Sequence, residues 1–292
     1  MSANTQMKLS FFDSSGSVSQ KGVPKGEPIG KPNGMSTVIL FLNAFPLNQS
    51  MWDDQVAEFS PTHRVVTVDW PGFGESPATE LEPGVGLTPY GLAVLRLLDH
   101  LKIDCAHICG ISMGGYVALE LWRLAPHKFR SLILCDTRAT SDSAAAREGR
   151  HELIASVRKN GTGALGAMMI PGLLGDSTRR ESGSASIVER VRGMISTCSA
   201  EGVILAQLAM ADRTDSSDLL SEIARRSVDS IGFKSLIIAG NEDKLTPPSE
   251  MMALARAISG AQFATIDDAG HLPNLEQPRA FNRILKEFLE SR

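Results

Sequence analysis

Short β-branched runs alternate with helix-like segments from Thr37 to Thr137, and few architectures accommodate that order. TVILFLN (37–43), RVVTVD (64–69), CAHICGI (105–111) and SLILCD (131–136) read as strands. Between them stand SMWDDQVAEF (50–59), TPYGLAVLRLLDHL (88–101) and MGGYVALELWRLA (113–125), with Thr88 and Pro89 marking a helix start. Strands this uniformly apolar must be covered on both faces, and helical crossovers make neighbouring strands parallel. The pattern predicts an α/β fold, a mostly parallel sheet with helices on both faces.

The alternation breaks after Thr137. Residues 138–228 hold no convincing strand, only the candidate helices AAAREGRHELIASVRKN (144–160), SIVERVRGMIS (186–196) and GVILAQLAMA (202–211). Strand texture returns in FKSLIIAG (233–240), then a helix (249–258), the strand AQFATID (261–267) and a last helix (279–291). The expected organisation is a core of residues 1–137 and 229–292 with a helical cap, 138–228, inserted in it. An insertion that leaves and re-enters at strand C-termini sits over the crevice where open α/β sheets bind ligands. Upstream, residues 14–36 are rich in Ser, Gly, Lys and Pro and read as an exposed connection after a first strand, Lys8 to Phe12.

Composition narrows the function classes. With 33 acidic against 29 basic side chains, the chain has no cationic footprint for nucleic acid or an anionic membrane. Its apolar runs, such as Val38 to Leu42, fall far short of the ~20 residues that span a bilayer. The start, MSANTQMKLSFFD, lacks the cationic stretch and apolar run of a secretory signal. Cys105, Cys109, Cys135 and Cys198 form neither a disulfide framework nor a CxxC pair. The expectation is a cytoplasmic monomer or homodimer without metal or cofactor, acting on a small molecule. Acidic and basic side chains nearly balance across 138–228, so the cap announces no charged substrate.

Gly110-Ile111-Ser112-Met113-Gly114 matches G-x-S-x-G. The pattern means little alone, but here it begins where a strand ends and precedes an amphipathic helix. So sharp a turn crowds the backbone, which calls for glycine two places either side of the serine. A serine hydroxyl is a poor nucleophile until a base takes its proton. Of six histidines, His271 stands in a loop just after the last strand, DAGHLP (268–273), on the same sheet edge as Ser112. The histidine needs an acid to fix its tautomer. Asp243 follows the strand SLIIAG directly, with Asp136 and Glu242 as competitors.

With these residues in the order Ser112, Asp243, His271, the chain resembles the α/β-hydrolase family from Met35 to Phe288. DWPGFGES (69–76) is similar to the family's D-x-P-G-x-G-x-S loop, and GHLPNLEQP (270–278) to its G-H-x-x-x-x-E-x-P segment. Ala44-Phe45-Pro46-Leu47 followed by Met51-Trp52, and Met210 to Asp215, resemble stretches of small carboxylesterases and 3-oxoadipate enol-lactonase-like enzymes. The resemblance implies the α/β-hydrolase fold and an oxyanion hole formed by the backbone N–H groups of Phe45 and Met113. One departure stands out: Asn43-Ala44 replaces the family's usual His-Gly.

The implied activity is hydrolysis of carboxylic esters or lactones of small to medium acyl groups through an acyl-enzyme. Two other readings stay open: a slow or inactive hydrolase-fold receptor or scaffold, and the same triad used for amide or C–C hydrolysis or perhydrolysis. Asn43, Trp52, Met168 and Met210 are the expected substrate contacts, in a largely apolar pocket closed by the cap.

Overall fold

The computed structural model describes residues 9–16, 37–78, 86–180, 185–229 and 233–291. Lys8 and most of the 14–36 connection lie outside them. The strands are β1 Phe11–Asp13, β2 Val38–Leu42, β3 Arg64–Val68, β4 Ala106–Ile111, β5 Phe129–Cys135, β6 Lys234–Gly240 and β7 Gln262–Ile266. They form one sheet in the order β1-β3-β2-β4-β5-β6-β7. Among the described strands only β1 is antiparallel to its neighbour, pairing Phe12 with Thr67. The fold is therefore the mostly parallel α/β-hydrolase type. β4 is buried along its whole length, the environment its apolar sequence requires.

Helices α1 Asp53–Phe59, α2 Thr88–His100, α3 Met113–Leu124, α10 Pro248–Ala257, α11 Pro273–Glu276 and α12 Pro278–Glu290 alternate with the strands. Between β5 and β6 the described residues form six more: α4 Ala144–Asn160, α5 Leu165–Leu173, α6 Asp176–Arg180, α7 Ala185–Ser196, α8 Ala200–Ala211 and α9 Ser217–Asp229. α4 starts where Ser143 accepts a hydrogen bond from the Ala146 N–H and ends at Gly161 with φ 69°. No single described helix is long and apolar enough to cross a membrane.

The second group of helices is tied to the core at backbone level. Ser199 N–H donates to Gly72 O at 2.9 Å, and a Cβ on Gly72 would lie 2.4 Å from Gly202 Cα. Gly72 also has φ +84°, so an L side chain is excluded both by conformation and by space. Gly72→Ala is expected to cost roughly 2–4 kcal/mol, strain and overpacking together, measured by urea denaturation. A variant as stable as the parent would mean that α8 does not dock this closely.

Candidate active site

The loop between β4 and α3 contains one residue, Ser112, at φ 53° and ψ −116°. A non-glycine residue there is strained and must be held by its surroundings. Its N–H donates to Cys135 O at 3.0 Å, and its carbonyl accepts from Gly115 N, Tyr116 N and Thr137 Oγ1. The flanking glycines answer to crowding. A Cβ on Gly110 would stand 2.3 Å from Gly114 O, and one on Gly114 2.1 Å from Leu42 O. The turn thus lifts the Ser112 side chain off the end of the sheet.

His271 reaches the same place from the loop after β7, and Asp243 from the loop after β6. Both are buried, and His271 Nδ1 lies 2.7 Å from Asp243 Oδ2. Asp243 is fully engaged: Oδ1 accepts from the Leu245 and Thr246 N–H groups, and Oδ2 accepts from Thr246 Oγ1. Burial alone would raise its pKa, but His271 and these donors hold it well below the ordinary carboxylate range. Glu242, the competing acid, faces away and takes Ser177 instead.

Glu276 was legible only as part of a motif, and the structure gives it work. Its Oε1 accepts from Gly270 N and Leu272 N, on either side of His271. Its Oε2 accepts from Gly175 N, beyond the end of α5, and the His271 N–H donates to Leu173 O. One buried carboxylate therefore fixes the histidine loop and joins it to the helices between β5 and β6. The other described histidines stand elsewhere. His107, for example, contacts Ser131 Oγ at 2.7 Å, and burial and Arg130 push its pKa down to about 3.

Asp136, the other competitor, directly follows β5 with φ 40° and is completely buried. Its Oδ1 accepts from Gly240 N, whereas Oδ2 finds no donor and the side chain lies against Asp243. Burial, and then the Asp243 charge, push its pKa well above 3.8. Two adjacent buried carboxyls do not ionise together without cost, and the raised pKa favours the proton on Asp136. Where the folded protein keeps a proton that the unfolded chain releases, the contribution of Asp136 to stability falls as pH rises above about 4. Asp136→Asn removes that dependence. Its stability relative to wild type is expected to gain about 1.4 kcal/mol per pH unit until Asp136 ionises in the folded state. Urea denaturation at pH 5, 6 and 7 reads this directly, and a constant difference would place no proton on Asp136.

Ser112, His271 and Phe45 open onto one cavity of ≈ 210 Å³. The N–H groups of Phe45 and Met113 have no protein acceptor among the described residues, which leaves both donors available. Ala44 keeps a negative φ, so it follows the turn without glycine. Asn43 does the bracing: its Nδ2 donates to Val68 O at 2.6 Å, and its Oδ1 accepts from Trp52 Nε1 at 3.0 Å. Its own carbonyl accepts from Trp70 Nε1.

Two expected substrate contacts are thereby placed in the core. Asn43 and Trp52 are fully buried and absent from the cavity wall, because Trp52 stacks on Phe41 at 4.5 Å and spends its N–H on Asn43. Met168 is 55% exposed and points away, and its neighbour Met169 lines the cavity instead. One residue along a helix turns a side chain by about 100°, which is the size of that correction. Met210 does line the cavity. The wall is also less apolar than expected, since Arg138, Arg150, Gln207 and Thr246 contribute to it. Among the described residues, no group of His, Cys, Asp and Glu is arranged to hold a metal ion.

This constellation, on a mostly parallel sheet, defines an α/β-hydrolase. The family model described as "Alpha/beta hydrolase family" matches residues 39–284, and the chain belongs to that family. Two 3-oxoadipate enol-lactonases of Acinetobacter baylyi are 32% and 30% identical to it, covering 87% and 86% of this chain and 88% of each relative. Among solved structures, a thermophilic esterase from Thermogutta terrifontis, with malate bound, superposes with a TM-score of 0.81 at 36% identity, covering 96% of this chain and 92% of that one. The enol-lactonase from Burkholderia xenovorans gives 0.79 at 26% identity, covering 97% and 96%. The chain is thus an enzyme of a hydrolase family, with relatives named for esters and lactones.

Proposed function

We propose that this protein is a serine hydrolase of carboxylic esters or lactones that works through an acyl-enzyme. The observation that carries the reading is the opening of the strained Ser112 turn and the buried His271–Asp243 pair onto one cavity. Ser112 Oγ adds to the carbonyl carbon while His271 Nε2 takes its proton, and Asp243 holds the Nδ1 proton and stabilises the imidazolium. The carbonyl oxygen becomes an oxyanion, met by the Phe45 and Met113 N–H groups. Collapse expels the alkoxide, which takes the proton from His271. Water, deprotonated by the same imidazole, then cleaves the acyl-enzyme.

In the same reading residues 138–228 act as a lid, supported by Arg150 of α4, Leu173 of α5 and Met210 of α8 in the cavity wall. A cavity of ≈ 210 Å³ accommodates small to medium acyl groups. The experiment is a fluorophosphonate label followed by peptide mapping, together with a p-nitrophenyl ester series of increasing acyl length. One label on the peptide containing Ser112, and a steep fall in kcat/KM beyond a limiting length, are expected. An unlabelled serine would sink the mechanism, and undiminished activity on long acyl chains would sink the lid.

A further inference from the structure

Resting on the ester or lactone reading, we propose that Arg138 is a partition that sets the longest substrate chain. It closes the Ser112 cavity off from a second groove suited to an unbranched, uncharged alkyl chain. That groove, of ≈ 380 Å³, lies between α9 and α10 beside the segment that follows β5. Among the described residues, Arg138 is the one that lines both the groove and the cavity onto which Ser112 opens. The cavity's ≈ 210 Å³ falls below the ~300 Å³ at which ligand pockets usually begin, so a chain beyond medium length has to extend past its wall.

The Arg138 side chain is strung across the boundary. At its root, the preceding residue Thr137 donates through Oγ1 to Ser112 O at 2.8 Å, which ties the backbone here to the serine turn. At its tip, Nη2 donates to Leu245 O at 2.6 Å and lies 3.2 Å from Glu250 Oε2. Leu245 belongs to the wall of the first cavity and Glu250 to that of the second groove. The guanidinium therefore reaches from one wall to the other, while its apolar stem fills the space between. Its Nε is buried without an acceptor, a cost that goes with being held across the opening rather than swung into water. Engaged on both sides, the guanidinium acts here as a wall.

The second groove has the chemistry of a bed for a neutral chain. Leu220 of α9 and Ala253, Leu254 and Ala257 of α10 give it an apolar side. Its two charged residues are Arg138 and Glu250, which pair with each other, so the groove offers a ligand no net charge. What holds the partition shut is modest. Glu250 is half exposed, so its ion pair is screened by solvent, and one hydrogen bond to a carbonyl remains. Shortening this one side chain should therefore join the two spaces.

The test is a chain-length series on each half of the ester: p-nitrophenyl esters from acetate to decanoate, and acetates of alcohols from ethanol to decanol. In Arg138→Ala the limiting length of at least one series is expected to move outward, and the series that responds identifies which half of the substrate passes the partition. Each methylene newly buried is worth about fourfold, so kcat/KM just beyond the parental limit, relative to the shortest member, should rise about 10- to 100-fold. Ala253→Phe fills the groove from the exposed face of α10 and should cancel that gain when added to Arg138→Ala. An unmoved limit in both series, or a gain that survives Ala253→Phe, would overturn the proposal. A binding arm keeps it apart from the catalytic reading. Ser112→Ala and Ser112→Ala/Arg138→Ala proteins, checked for fold by circular dichroism, are titrated calorimetrically with methyl ketones from methyl propyl to methyl octyl ketone. Affinity that levels off with length in the first protein and goes on rising in the second supports the partition even if no ester is hydrolysed. Affinity that levels off at the same length in both overturns it even if esters are hydrolysed well.

Discussion

Ser112→Ala is expected to lower kcat on an activated ester by about 10⁴-fold or more, leaving only the catalysis that binding and the oxyanion donors supply. Alanine retains the Cβ already tolerated at φ 53°, so the turn keeps its shape and only the hydroxyl oxygen is lost. The interactions that fix the turn are backbone N–H and C=O contacts with Cys135, Gly115, Tyr116 and Thr137, none of which uses the serine hydroxyl. Stability should therefore change little, and thermal unfolding run beside the kinetics separates a chemical loss from a folding one. Retention of more than about one part in a hundred of kcat would mean that another group supplies the nucleophile.

The legible and illegible parts of this molecule differ in physical kind. The strands were readable because a buried parallel strand is apolar at every position, and the break at Thr137 was readable because that texture stopped. Helix α5 escaped notice because LGAMMIPGL contains Pro171 and two glycines, which argue against a helix unless tertiary packing overrides them. The serine, the histidine and the acid were legible because each stands at a strand end in a local pattern that the chain itself spells out. The contact of Asp136 with Asp243, the hydrogen bonds of Glu276 and the place of Arg138 and Arg150 in the cavity wall were not. Each depends on which residues, distant in sequence, share a buried volume, and a count of charges along 138–228 averages that away. The same limit explains Met168 and Met169. The sequence offers two adjacent methionines for the inner face of the cap, and only the rotation of α5 decides which one lines the cavity.

Asp243→Asn is expected to lower kcat by about 10⁴-fold, and the surrounding donors explain why an isosteric change should be so costly. In the native loop Oδ1 accepts from two backbone N–H groups, Leu245 and Thr246, and Oδ2 faces His271 Nδ1. Those N–H groups require an acceptor, so the carboxamide introduced by the substitution would keep its oxygen there and turn its NH₂ toward the imidazole. Nδ1 would then have to accept a hydrogen bond, which places the ring proton on Nε2 and leaves nothing to take the proton of Ser112. Asp136 cannot replace the lost acid from where it stands, with Oδ1 committed to Gly240 N at the far side of the pair. The variant should therefore bind ester with nearly unchanged KM and react slowly with fluorophosphonate, in proportion to its kcat. A loss of less than about tenfold would show that His271 finds its tautomer without Asp243, and that the buried pair is structural.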